Sequence, residues 1–288
     1  MEGNTVLDVL LQPFQYAFMV RGVLAAILVG VVCAVVGTFV VLRGMAFFGD
    51  ALAHTILPGL AVGYLVGGGS REALFWWALG TAVLSAVSIG TLSRKLHLKE
   101  DTAIGIIFAG MFALGVALIS SVRSYSVDLA HFLFGDILAV RASDLARSAI
   151  FGGTVLLLLY AFYKEFAVLS FDPILAATLR LPVHLLDLLL VILIAVAIVV
   201  SLQTVGVALM VAMLVTPAAT ASLLTRRLPL IMLWAAVIAA FSGVIGLYFS
   251  YYFNIASGAA IVLTCTLIFI LVSFMRAVRE KLIRVSVA

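Results

Sequence analysis

From Leu228 to Met275 the chain runs through 48 consecutive residues without a charged side chain. An α-helix crosses the hydrocarbon core of a bilayer in roughly 20 residues, so this stretch is too long for one span and long enough for two. The same pattern recurs along the sequence, because the 17 basic and 13 acidic residues are clustered and leave long neutral runs between them. Charged residues make up 10% of the chain and hydrophobic ones 65%, against about 25% and about 45–50% in a soluble domain. Too few polar side chains remain to cover a water-facing surface, which excludes a soluble fold. The ten-residue dyad alternation of a transmembrane β-barrel is absent. What is left is an all-α polytopic membrane protein.

Apolar runs bounded by charges predict nine helices, over 22–42, 51–66, 73–92, 102–121, 149–163, 182–202, 205–224, 229–253 and 258–274. The second and fifth are short, so one of them is expected to tilt little or to be broken. The sixth and seventh are separated only by Gln203 and Thr204 and could count as one, which leaves eight or nine spans. Residues 1–288 read as a single transmembrane permease-like domain, with 1–20 as an N-terminal interfacial helix. The opening residues lack the basic, apolar and cleavage regions of a signal peptide. Placing the Arg94–Lys99 loop in the cytoplasm puts 12 of the 17 basic residues inside, as the positive-inside rule requires. The net charge of +4 is therefore loop charge, and no nucleic-acid partner is expected. In this orientation 124–147 is an extracellular amphipathic segment centred on Phe132, Leu133 and Phe134. Residues 164–181 form a cytoplasmic connector. Within it Asp172 before Pro173 is a helix start, a capping carboxylate followed by a proline that needs no N–H partner.

The one acid–histidine pair inside an apolar span lies in FFGDALAH, where Asp50 and His54 are four residues apart and share a helix face. Ionisable groups at membrane depth are costly unless they face a cavity, a partner or an ion path. A carboxylate with an imidazole suits divalent transition metals and serves manganese, zinc and iron alike. A second reading stands beside this one: Asp50 caps the helix and His54 packs. Asp128, His131 and Asp136 form another group in the outer segment, where solvated polar residues are ordinary. His184 and Asp187 are expected to settle a helix end, and His97 to be solvated. Cys33 and Cys265 lie in apolar runs as buried small hydrophobes. Gly59, Gly63 and Gly67 make a stripe for close helix packing, and Pro217 falls inside a span. No GxxxxGK[ST] loop, HExxH pair or CxxC motif is present, so no catalysis and no ATP binding are expected on this chain.

The stretches VVGTFVVLRGMAFFGDALAHTILPGLAVGYL, DLAHFLFGDILAV, SFDPILAA, VGVALMVAMLVTPAATASLL and GLYFSYYFNIASGAAIVL, in this order, resemble the permease subunit of manganese/zinc/iron-type ABC metal importers. The resemblance runs from about residue 14 to about residue 275. It implies a type II, vitamin-B12-importer-like bundle of eight or nine helices in the prokaryotic cell membrane. It further implies a homodimer, two cytoplasmic ATPase subunits that bind ATP, and an extracytoplasmic metal-binding receptor. No cofactor resides on the chain; the metal, Mn²⁺ or Zn²⁺ with Fe²⁺ as the further candidate, is the cargo. Asp50 and His54 match the family's metal pathway. Phe171, Asp172, Pro173, Ala176 and Arg180 match the segment that couples to the ATPase, and Phe132, Leu133 and Phe134 fall near the outer gate. The competing classes are an ion-coupled secondary carrier, which would need acids on several spans, and a siderophore or cobalamin permease, which needs no acid–histidine pair.

Overall fold

The computed structural model describes residues 12–120 and 137–287. A short 3₁₀ turn at Gln12–Gln15 leads into α1 (Ala17–Leu42), which is followed by α2 (Phe48–Thr55), α3 (Leu57–Gly67), α4 (Arg71–Lys95) and α5 (Glu100–Ser120). Then come α6 (Ala142–Ala161), α7 (Tyr163–Phe171), α8 (Pro173–Thr178), α9 (Val183–Val205), α10 (Val207–Leu224), α11 (Leu228–Phe253) and α12 (Ser257–Val287). Among the described residues nine helical segments are long and apolar enough to span a membrane, with α2 and α3 together making one of them. The expected all-α polytopic bundle is what forms, and the second span is the broken one.

Helix α1 sits at the centre, packed against α6, α9, α10 and α11. Glycines set the spacing: a Cβ on Gly37 would fall 1.7 Å from the Leu214 carbonyl oxygen of α10. The stripe Gly59, Gly63, Gly67 does what its four-residue spacing predicts and seats α3 on α4. A Cβ at Gly59 would meet the Trp77 carbonyl oxygen at 2.4 Å and one at Gly67 the Ala73 Cβ at 2.2 Å. Dispersion at such close approach replaces the hydrophobic effect, which cannot drive association between helices already in lipid.

Three predicted boundaries move. The first span begins at Ala17 rather than 22 and takes up the end of the supposed interfacial helix. Arg21 is tolerated there because its Nε donates to the Ala17 carbonyl at 3.2 Å while its stem lies along the helix. The fifth span starts at Ala142 rather than 149, so the end of the expected outer segment is helical. Its charges find partners across the turn. Asp144 accepts from the Arg141 N–H and lies 3.7 Å from Arg71 of α4, while Arg147 stands over the Phe75 ring at 5.8 Å. The sixth and seventh spans are separate helices, divided at Gly206, whose φ of +81° suits glycine.

Candidate metal path and coupling seat

Helix α2 has eight residues, and its break is local chemistry. Pro58 in the first turn of α3 has no N–H for the His54 carbonyl, which the Ile56 N–H meets instead in a tighter turn. Thr55 Oγ1 donates to the Leu52 carbonyl at 3.0 Å and supports the end of the segment. Such interrupted helices persist at membrane depth only where protein or a polar cavity takes the freed backbone groups.

Asp50 lies in the first turn of α2 and His54 in the last. His54 Nδ1 is 2.8 Å from the Asp50 carbonyl oxygen. A carbonyl only accepts, so Nδ1 carries the hydrogen and the neutral ring keeps its Nε2 lone pair for an external ligand. The Asp50 carboxylate approaches the same ring, with Oδ1 at 3.7 Å from Nδ1. The two side chains are 39% and 31% exposed respectively, so the pair opens onto the outside of a single chain. Phe108 and Phe112 of α5 flank the imidazole edge-on, with centroids at 5.9 and 6.0 Å. At roughly 1.5 Å per residue these rings lie roughly 12 and 18 Å along α5, near the middle of a core about 30 Å thick. The pair is therefore walled on one side by aromatic rings of α5. No group of three or more His, Cys, Asp or Glu side chains among the described residues could hold a metal. Two ligands can pass an ion along; they cannot sequester it.

At the Arg43 end of the bundle, α7 and α8 form the connector expected from sequence. Asp172 caps α8 as predicted, its Oδ1 accepting from the Ile174 and Leu175 N–H groups at 3.0 and 2.9 Å. Pro173 takes the first helical position. Ile174 is 78% exposed, and Phe171, Leu175 and Leu179 are exposed beside it. Arg180, also exposed, ends the turn at φ +57°. Ala176 is fully buried: it is the foot by which α8 stands on the bundle rather than part of its open face. Phe132, Leu133 and Phe134 lie outside the described residues, as do Asp128, His131 and Asp136.

Sequence reasoning missed one constellation. Asp187 does more than settle the start of α9: its Oδ1 accepts from Arg43 Nη1 at 2.5 Å and its Oδ2 from Arg94 Nη1. These residues are 93 and 144 positions apart from Asp187, so no spacing rule joins them. The available signal was that Arg43 and Arg94 follow the ends of predicted spans and Asp187 lies near the start of another, all on the same predicted side. Cys33 is buried and donates to Ser201 Oγ at 3.2 Å, away from the acid–histidine pair.

The chain matches the model of the ABC 3 transport family over residues 15–276. It is 46% identical to the manganese transport system membrane protein MntC of Listeria innocua, covering 93% of this chain and 94% of that one. The manganese import system permease protein ScaB of Streptococcus gordonii is 41% identical over 94% and 95% of the two chains. Among solved structures, PsaBC from Streptococcus pneumoniae in complex with Fab superposes with a TM-score of 0.79 at 37% identity, over 93% of this chain and 95% of that one. Nine candidate spans and membrane-transport relatives make this a multi-pass protein of the prokaryotic cell membrane. With an acid–histidine pair on a broken helix in a type II importer bundle, and a family model matched along nearly its whole length, the chain belongs to the ABC 3 transport family as a metal-importer permease subunit.

Proposed function

We propose that this permease carries Mn²⁺ into the cytoplasm by alternating access, with Asp50 and His54 as transient ligands on the way. The carrying observation is the geometry of the pair: a carboxylate and an imidazole whose Nε2 is left free, part-exposed on an interrupted helix. The oxygen–nitrogen set accepts divalent transition metals without choosing among them, and manganese is the reading because both relatives named above are manganese transporters by name. Zinc and iron are the alternatives that the same donors would accept.

The pair is open on one side, and a second copy of the chain would close it, supplying another carboxylate and another imidazole. A receptor outside delivers the ion, and two ATPase subunits dock on the exposed Phe171, Ile174, Leu175 and Leu179 of the α8 segment. Asp172, Pro173 and Arg180 fix the shape of that segment, and Ala176 anchors it. Phe132, Leu133 and Phe134 close the path on the outer side. ATP binding and hydrolysis on the partner subunits move α8 and open the inner side. Weak ligation fits the task, because a conducted ion must leave as readily as it enters.

Proteoliposomes holding the permease with its ATPase and receptor, offered manganese, zinc and iron together, test this by elemental analysis. ATP-dependent accumulation of manganese, lost in Asp50→Ala and His54→Ala, is the expected result. Normal accumulation in both variants would remove the pair from the path. Protons compete with metal for Nε2, so wild-type uptake falls as the medium is acidified; uptake unchanged between pH 5 and 8, an interval of about three units across the imidazole range, would exclude histidine ligation.

A further inference from the structure

Arg43 is the first residue after α1, and its side chain is 8% exposed. Besides its bond to Asp187 at the start of α9, its Nε donates to Ser170 Oγ at 3.4 Å. Ser170 stands two residues before Asp172, the cap of α8. In the other direction along the chain, Arg43 leads into Gly44, at φ +71°. The tight turn that follows, with Met45 N–H on the Val40 carbonyl at 3.0 Å and Phe48 N–H on the Met45 carbonyl at 2.9 Å, starts α2. One buried guanidinium thus touches the last turn of α7, two residues before the cap of α8, on one side and is joined by a few residues to the half-helix bearing Asp50 and His54 on the other.

The cluster around it also has a second pairing open to it. Arg94 gives Nη1 to Asp187, but its Nε and Nη2 are buried without a hydrogen-bond partner among the described residues. Glu100, at the start of α5, lines the same cavity of about 620 Å³ as Arg43, Arg94 and Asp187, and Pro173 of α8 closes one wall of it. Exchange of Arg94 from Asp187 to Glu100 would change partners without burying a new charge. An arrangement with two discrete pairings is the kind of element that transmits a displacement.

We propose that Arg43 is a positioning residue that converts displacement of α8 into displacement of α2. Movement of α8 is passed to Ser170 at the end of α7; Arg43, held by Ser170 and by Asp187 of α9, turns the chain at Gly44 and with it the ligand pair. The inference rests on reading α8 as the ATPase seat.

The test uses the full complex in proteoliposomes and reads manganese accumulated per ATP hydrolysed. Lysine keeps the charge of Arg43 but, as a single point donor, cannot hold Ser170 and Asp187 at once. Arg43→Lys is expected to hydrolyse ATP at a rate within about twofold of wild type while manganese per ATP falls about fivefold to tenfold. Ser170→Ala should lower the same ratio by less. The double variant should be no worse than Arg43→Lys alone, because the two act on one path. Ser170→Ala removes only a peripheral bond, so it carries the test if Arg43→Lys does not elute as a folded complex. An unchanged ratio in either folded variant, additive losses in the double variant, or uptake and hydrolysis falling in proportion would each overturn the proposal. The underlying reading fails separately: Ile174→Asp should prevent assembly with the ATPase, and a complex that assembles and transports normally with that substitution would remove α8 as the seat whatever Arg43 does.

Discussion

Two polar constellations interrupt this apolar bundle, and they are built on opposite principles. Asp50 and His54 are one helical turn apart, half-exposed, and bonded mainly to their own helix. Arg43, Asp187 and Arg94 come from the ends of three helices, with Arg43 buried and Arg94 part-exposed, and both arginines are tied to Asp187 by charge-assisted hydrogen bonds. The first leaves ligand capacity unused, and the second spends nearly all of Asp187 on internal partners. In the proposed function, the spare capacity of the first serves an ion in passage. The carboxylate of Asp187, engaged by both arginines at the helix ends, holds the fold together and, in the inference drawn above, transmits movement. In hydrocarbon both arrangements are expensive, so their difference reports what each is for.

Thermal unfolding in detergent, read beside transport, should separate the two regions. The largest loss of stability is expected from Asp187→Ala, which leaves two guanidiniums buried without their carboxylate and should cost about 3–5 kcal/mol. Next comes Gly59→Ala, whose methyl would meet the fixed Trp77 carbonyl at 2.4 Å; overpacking of this kind costs about 1–3 kcal/mol. Asp172→Ala removes the cap of α8 and should cost about 1 kcal/mol locally, with Asp172→Asn recovering most of it. The smallest stability effect is expected from His54→Ala, within about 0.5 kcal/mol, although transport falls by about tenfold or more. If His54→Ala instead unfolded the protein as Asp187→Ala does, the pair would be a packing feature and the contrast between the regions would vanish.

The same contrast explains what could be read from the sequence. FFGDALAH is visible because its residues act within one turn of helix, and the Asp172–Pro173 start is visible because capping is local. The glycine stripe at 59, 63 and 67 reads correctly for the same reason. The span count follows from the charge-free runs, since the bilayer sets the length of a helix. Helix ends are harder. Asp144 and Arg147 look like loop residues until Arg71 and Phe75 of α4 are placed beside them. The Arg43–Asp187–Arg94 cluster is invisible for a stronger reason: each residue alone is an ordinary charge at a membrane boundary, and only the packing of α1, α4 and α9 makes them one object.

The seam between α3 and α4 has a consequence for how such a permease could change its cargo. Over Gly59, Gly63 and Gly67 nearly every added atom collides with backbone or a fixed side chain, so α3 has almost no freedom to vary. The half-helix across the Ile56 joint, which carries the proposed ligands, is held by contacts with α4, α5, α9 and α10, and the Asp50 and His54 side chains remain part-exposed. Substitutions at Asp50 and His54 can therefore alter donor chemistry while the register of the span stays fixed. A designer seeking a different ion would vary those two positions and the facing rings of Phe108 and Phe112, and would leave the glycine seam untouched.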